Sequence, residues 1–263
     1  MCGISGFLSN ELDNSTIPET AKFMADQLKH RGPDNSGIWF DKNIGIALAH
    51  QRLSIVDLSI AGSQPMLSYC GRYYIIFNGE IYNHLDIRSE IKEVIKWKGH
   101  SDTETLINAI SYFGIEKTLQ KITGMFSFAL WDKRSKQLTL AKDRIGEKPL
   151  YYGFSGGSFV FASELKAIIK FPNFSKVIDK EALSLYFQFG YVPQGYSIYK
   201  DIHKLIPGTY ITFSMKDVKD KKIPNHSKYW SFNEISLNQF NNPFVGSETS
   251  AINKLEDLLE KSI

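Results

Sequence analysis

Between Met125 and Ala162 the chain writes two hairpins in succession, and this stretch narrows the fold more than any other. Phe126, Phe128 and Leu130 alternate with smaller neighbours, the polar run Asp132-Lys-Arg-Ser-Lys136 turns the chain, and Leu138 to Ala141 returns. Tyr151 to Phe154 and Phe159 to Ala162 make the next pair around Ser155-Gly-Gly-Ser158. A period of two broken by turn residues predicts antiparallel sheet, since alternate residues share a face only in a strand. Upstream, Ile4 to Leu8, Gly37 to Phe40, Ile44 to Ala49 and Tyr73 to Phe77 are short apolar runs bounded by Gly, Asn or Asp, and read as further strands.

Helices are interposed. Thr16-Ile-Pro-Glu19 spells a capping box with Pro in the first turn, opening a helix that puts Ile17, Ala21, Met24 and Leu28 on one face and ends at Gly32-Pro33. A second helix carries Ile87, Ile91 and Val94 and stops at Gly99. The third starts at Ser101-Asp-Thr-Glu104, another capping box, and buries Leu106, Ile110 and Phe113 before Gly114. A helix from about Asp179 and a strand pair around Thr209 to Phe213 complete the body, with the charged stretch Lys216 to Lys222 as a solvated hairpin tip. Ser247 to Ile263 reads as an amphipathic helix, with Ile252, Leu255, Leu258 or Leu259 and Ile263 at helical spacing. It carries no Gly or Pro stop. Either it docks on its own domain or the chain ends where a second domain begins, and the second is the expectation.

Composition excludes several classes. At ~150 residues per domain, 263 residues are more than one average domain and less than two. A chain 43% hydrophobic and 22% charged can bury a sizeable core. The balance of 31 basic against 28 acidic residues is too even for a nucleic-acid surface. No apolar run approaches the ~20 residues of a membrane helix, and the N-terminus lacks the basic segment and apolar stretch of a signal peptide, so a cytoplasmic protein is expected. Cys2 and Cys70 alone cannot staple a chain this size, which fits a reducing compartment, and Cys70 is read as a bystander in a polar turn. The six histidines show no metal-ligand spacing, so no metal is expected.

Cys2 is where chemistry could begin. Removal of Met1 would place its thiol and its own α-amine on one carbon. With pKa values of about 8.5 and 7.7–8.0, the amine suits the thiol as a base near neutrality. A lone cysteine is otherwise a small buried hydrophobe. Asn78-Gly79 after an apolar run could offer a backbone N–H at close approach, although by itself the pair is the commonest signal for a type I′ hairpin turn. Arg52 could fork onto a carboxylate, and Asp102 could be an acid favoured at a helix start.

Seven clusters occur in order: Cys2-Gly-Ile-Ser-Gly-Phe7, His30-Arg-Gly-Pro-Asp34, Gln51-Arg-Leu-Ser-Ile-Val-Asp57, Asn78-Gly-Glu-Ile-Tyr-Asn83, Ser101-Asp-Thr-Glu104, Met125-Phe-Ser-Phe-Ala-Leu-Trp-Asp132 and Lys142-Asp-Arg-Ile-Gly-Glu-Lys-Pro-Leu-Tyr-Tyr152. From Met1 to about Pro207 the chain resembles the N-terminal glutaminase domain of glutamine-dependent asparagine synthetases, which are class II glutamine amidotransferases of the N-terminal-nucleophile hydrolase group. The resemblance implies an α+β fold, a four-layer αββα sandwich of two mainly antiparallel sheets. It implies Cys2 as nucleophile, with the Asn78 side chain and the Gly79 N–H as oxyanion donors. Arg52 is implied to hold the α-carboxylate of L-glutamine, and Asp102 its ammonium, with Glu80 nearby. Leu53, Ser54, Ile55 and Val56 would supply backbone and wall contacts.

The same resemblance sets the limit of the expectation. Ser155-Gly-Gly-Ser158 is followed by Phe159 where a Ser-Gly-Gly-x-Asp-Ser pyrophosphate loop needs Asp, and it reads as a turn. Asp143-Arg144 and Lys148-Pro149 match a motif of the same family, and a loop closing a hairpin explains them as well as a ligand role does. Residues 1–245 are therefore expected to be the amidotransferase domain, and 246–263 the start of the first helix of a C-terminal synthetase domain. ATP and Mg²⁺ belong to that absent domain, and no cofactor is expected in this chain. Expected partners are L-glutamine, the synthetase domain and a second copy in a homodimer. The ammonia acceptor is aspartate by default. The alternative is another carboxylate, such as that of a surface-polysaccharide sugar. A regulatory module that merely keeps the fold would be expected to lack Cys2, Arg52, Asn78 or Asp102. A general peptide amidase would not need the two amino-acid clamps.

Overall fold

The computed structural model describes residues 1–92 and 94–260. In chain order its elements are β1 (Gly3–Leu8), α1 (Ile17–Asp26), β2 (Asn35–Asp41), β3 (Ile46–Arg52), β4 (Met66–Leu67), β5 (Tyr73–Ile81), α2 (His84–Glu90), α3 (Asp102–Phe113), α4 (Ile115–Lys121), β6 (Gly124–Asp132), β7 (Gln137–Lys142), β8 (Tyr151–Ser155), β9 (Ser158–Ala162), α5 (Leu165–Ile168), α6 (Lys180–Phe189), β10 (Ile202–Lys204), β11 (Thr209–Ser214), α7 (Met215–Lys219), β12 (Ser227–Lys228), α8 (Phe232–Asn241) and α9 (Glu248–Glu260). The strands form two six-stranded sheets, ordered β10-β8-β9-β1-β3-β2 and β12-β11-β7-β6-β5-β4, with every named pair antiparallel.

Strand alternation sorts the apolar residues into three cores, and the cores define four layers. Ile4 and Leu8 of β1, Ile46 and Leu48 of β3, Ile76 of β5 and Ala129 and Trp131 of β6 meet between the sheets. Phe7, Ala47 and Val160 face the other way and pack on Ile17, Ala21 and Met24 of α1. Phe77, Ile81, Phe126 and Phe128 do the same against Leu106, Ile107 and Ile110 of α3. The result is the expected αββα sandwich. Each fully buried phenylalanine in it, such as Phe159, Phe161 and Phe213, contributes about 1.5–3 kcal/mol.

Several local expectations are corrected. Thr16 has φ −88° and ψ −13°, already helical, so its side chain cannot turn back to cap, and its hydroxyl donates to Asp13 O at 2.8 Å. The helix it opens ends at Asp26, with Leu28 buried in the turn beyond it and Gly32-Pro33 further on. Ser101 does cap α3, accepting Glu104 N–H at 3.2 Å, but the Glu104 carboxylate accepts the N–H groups of Lys98 and Gly99 at 2.7 and 3.0 Å instead of closing a capping box.

The helix expected to reach Gly99 stops at Glu90. Arg88 in its last turn stacks on Trp97 at 4.0 Å and donates to Gly99 O and Ser101 O, which packs 97–101 against α2, and Val94 is exposed. The strand pair near Thr209 is the single strand β11, set between β7 and β12. The charged stretch after it is no hairpin tip: Met215–Lys219 is a short helix, closed by a capping box between Ser214 and Asp217.

The chain divides into two compact units, Met1–Tyr229 and Trp230–Ile263. The second holds α8, capped by Ser231, and α9. On α9, Ile252, Leu255, Leu258 and Leu259 are each more than half exposed. Ile263, assigned to the same face from sequence, lies outside the described residues.

Candidate active site

Register and parity bring the expected residues together. Gly3 pairs with Gln51, so Cys2, one residue before β1, comes opposite Arg52 at the end of β3. Cys2 keeps the parity of Ile4, Arg52 that of Leu48 and Asn78 that of Ile76, so all three project from the inner faces of the two sheets. They line one cleft with Leu53, Ile55, Val56, Gly79, Glu80 and Asp102. Ser54 is not in its wall: its N–H is held by Asp34 Oδ2 at 2.8 Å.

The thiol of Cys2 accepts Leu53 N–H at 3.4 Å and sits 3.6 Å from Leu53 O. Burial pushes its pKa up, against the smaller downward pull of the Leu53 N–H, the Met1 amine and Arg52. The Met1 amine next to it is depressed, chiefly by burial, with Arg31 and Lys148 adding to the effect. Arg31 Nε donates to Cys2 O at 2.9 Å, and its Nη1 bonds Glu164 at 2.8 Å, which fixes the backbone of the nucleophile.

Asn78 and Gly79 do not form a turn. They lie inside β5, with Gly79 opposite Phe126 on β6. Phe126 gives its own N–H and C=O to Asp143 on its far side, so the Gly79–Phe126 pair is a non-hydrogen-bonded one and the Gly79 N–H points away from β6. Phe77 and Ile81 share that parity, and their N–H groups are taken by Gln64 Oε1 at 2.6 Å and Asp102 Oδ2 at 2.9 Å. Gly79, midway between them, faces the cleft. Its missing side chain serves β6 rather than a ligand, because a Cβ would stand 2.3 Å from Met125 O and 2.6 Å from Phe126 Cα. The Asn78 side chain is fully buried, and among the described residues neither its Nδ2 nor its Oδ1 has a hydrogen-bond partner. Buried amides are rarely left so, since an unmet group costs about 1–3 kcal/mol.

The cleft is bipolar. Arg52 Nη1 donates to Ser59 O at 2.8 Å and Nη2 to Asp57 O, which seats the guanidinium while leaving other N–H groups for a ligand. Gly62 makes that seat possible: a Cβ there would stand 2.2 Å from Nη2. Asp57 fixes the loop by accepting Ser59 and His100 N–H at 2.8 and 3.0 Å. Asp102, at the start of α3, accepts Ile81 and Thr103 N–H at 2.9 and 2.8 Å, and burial raises its pKa. A guanidinium and a carboxylate in one cleft match the two charges of a free amino acid.

Residues given no site role by the sequence also reach the cleft. Lys148, from a loop explained as closing a hairpin, lines it with its ammonium 3.0 Å from Met125 Sδ and 3.3 Å from Met1 Sδ. The hairpin explanation holds for Asp143, whose carboxylate takes the N–H groups of Gly146, Glu147 and Lys148. Gln64 and Thr103 line the cleft as well. The Lys148 motif carried a signal; a glutamine before a proline in a loop carries none. Among the described residues, no three His, Cys, Asp or Glu side chains cluster as metal ligands, and no helix is long and apolar enough to cross a membrane.

Residues 1–230 match the family model of a glutamine amidotransferase domain. The chain is 34% identical over 248 residues to a putative glutamine-hydrolyzing asparagine synthetase 2 of Methanocaldococcus jannaschii, covering 88% of this chain and 46% of that protein. It is 36% identical over 241 residues to the glutamine-hydrolyzing asparagine synthetase 3 of Bacillus subtilis, covering 88% and 37%. It thus spans less than half the length of either relative. In fold it is similar to the glutamine phosphoribosylpyrophosphate amidotransferase of B. subtilis, with a TM-score of 0.60 at 17% identity, over 88% of this chain and 50% of that one.

Proposed function

The chain belongs to the glutamine amidotransferase domain family, and we propose that it hydrolyses the side-chain amide of L-glutamine to L-glutamate and ammonia with Cys2 as nucleophile. The observation that carries this reading is the buried, unpartnered amide of Asn78 beside the edge-facing N–H of Gly79, in the cleft that holds the Cys2 thiol. Two such donors are what a tetrahedral oxyanion needs.

In the proposed reaction Arg52 forks onto the substrate α-carboxylate and Asp102 receives its ammonium. This orients the side-chain amide toward Cys2. The Sγ attacks the amide carbon, and its proton passes to the α-amine of Cys2, freed by removal of Met1. The oxyanion rests on Asn78 Nδ2 and the Gly79 N–H. Collapse expels ammonia, which takes up the proton and leaves a γ-glutamyl thioester, and water then releases glutamate and restores the thiol. Burial, which pushes the Cys2 thiol up, makes a neighbouring base useful, since the thiolate is the nucleophile.

The ammonia is read as passing to a synthetase domain beyond residues 1–245, of which 246–263 would be the first helix. That domain would use ATP and Mg²⁺ to activate aspartate. The lengths and names of the relatives support this reading, as does the apolar face of α9. Another carboxylate, such as that of a polysaccharide sugar, is the alternative acceptor. A cytoplasmic location and a homodimeric assembly belong to the same reading.

Glutamate and ammonia release by the chain is the test, with N-terminal sequencing of the same sample. Release that requires a free N-terminal Cys2 and disappears in Cys2→Ala supports the reading. Activity that survives Cys2→Ala rejects it. Aspartate-dependent pyrophosphate release by the full-length protein separates the two acceptors.

A further inference from the structure

Among the described residues, the edge of β5 that presents Gly79 has no strand beside it past Ile75, because β4 pairs only at Ile75 and Tyr74. A bare strand edge next to a cleft would be free to shift. Here it is held by side chains. Gln64, itself buried, accepts the Phe77 N–H on Oε1 at 2.6 Å, and His50 Nε2 donates to Phe77 O at 3.0 Å from the opposite sheet. The residue directly before Asn78 is thus fixed at both of its polar atoms.

Gln64 also reaches the other half of the cleft. Its Nε2 donates to Thr103 Oγ1 at 3.1 Å, and Thr103 follows Asp102 on α3. The segment that carries it runs close against β2, where a Cβ at Gly37 would lie 1.9 Å from the Gln64 carbonyl oxygen.

We infer that Gln64 is a positioning residue, whose single amide sets the edge carrying Asn78 and Gly79 in register with the Asp102 end of α3. An amide suits this task because it accepts at one end and donates at the other. The inference rests on the reading of the cleft as a glutaminase site. It assigns the two ends of Gln64 to different kinetic constants. The Phe77 end governs the oxyanion donors and hence kcat, and the Thr103 end governs the ammonium clamp and hence KM.

The test compares glutamine hydrolysis by the chain and by Gln64→Met, Gln64→Glu and Thr103→Val, with Cys2→Ala as control and circular dichroism as the check on folding. Gln64→Met, similar in length and without polar ends, is expected to lower kcat by about 10- to 100-fold, the scale of a small misplacement of catalytic groups. Gln64→Glu keeps an acceptor for Phe77 and should restore kcat to within about threefold of wild type, less than 1 kcal/mol in barrier. Thr103→Val should raise KM for glutamine several-fold and move kcat far less. Activity that is absent, or indifferent to Cys2→Ala, overturns the glutaminase reading and this proposal with it. With Cys2-dependent activity in hand, wild-type kcat in Gln64→Met, or equal losses in Gln64→Met and Gln64→Glu, overturns this proposal alone. Should Gln64→Met not fold, an unchanged KM in Thr103→Val overturns it and a raised KM with retained kcat supports it.

Discussion

Asp102 Oδ2 accepts the backbone N–H of Ile81 at 2.9 Å, so the carboxylate read as the ammonium clamp is tied to the strand read as the oxyanion strand. One residue, Glu80, separates Ile81 from Gly79. A ligand bound at Asp102 therefore meets a cleft whose opposite wall is held by the same side chain, and Gln64 repeats the link through Thr103 and Phe77.

Asp102→Asn keeps an acceptor for Ile81 and removes the charge. The carboxyl is pushed up by burial, so an ammonium ligand also relieves an unfavourable buried anion. KM for L-glutamine should rise by at least about tenfold, or 1.4 kcal/mol, with the fold intact. Glutamate release across a glutamine series reads this, and an unchanged KM removes Asp102 from the clamp.

Asn78→Leu separates catalysis from stability. Loss of one oxyanion donor should lower kcat by about 10²–10³. The wild-type amide is buried without partners among the described residues, so the nearly isosteric leucine removes an unmet polar group. The unfolding midpoint should therefore rise by about 2–4 °C per kcal/mol recovered. Calorimetry and initial rates on one preparation check both halves, and a large fall in Tm contradicts the account.

Gly62→Ala tests the seat of Arg52 without removing a ligand-facing group. Its new Cβ would stand 2.2 Å from Nη2 and displace the guanidinium. It should raise KM as Arg52→Lys does, because an ammonium cannot fork onto a carboxylate. The double variant should be little worse than either single one, since both act on one group. Independent, multiplying effects on KM rule this out.

Glu164 predicts an acid limb of stability. Burial alone would raise its carboxyl, but hydrogen bonds from Arg31, Lys166 and His30 outweigh it and bring the group from 4.5 to about 2. The unfolded chain then takes up the proton first as pH falls. The stabilisation is fully present above about pH 4.5 and is lost as pH falls through about 2. Glu164→Gln should lower Tm at pH 7, and the gap to wild type should close across that window. A gap that stays constant down to pH 2 contradicts it.

The chemistry was legible in the sequence because it depends on residue type. Cys2, Arg52, Asn78 and Asp102 stand out by residue type and motif, and they share one cleft. The hairpins were legible because turn residues act locally: Gly156 and Gly157 adopt φ values of +53° and +81° at the tip that joins β8 to β9. Local rules failed where distant strands compete with them. Asn78-Gly79 is a good turn pair, yet pairing with Ser127 and Phe126 keeps it extended through nine residues of β5.

Which groups are present, where the chain turns and which residues alternate follow from near neighbours along the chain and are readable in the order of residues. Which edge of β5 stays open, which N–H groups are already held and that Gln64 spans the cleft from Phe77 to Thr103 emerge from the packed fold. Those outcomes depend on register between segments tens of residues apart. A shift of one residue would turn Cys2, Arg52 or Asn78 to the opposite face of its sheet.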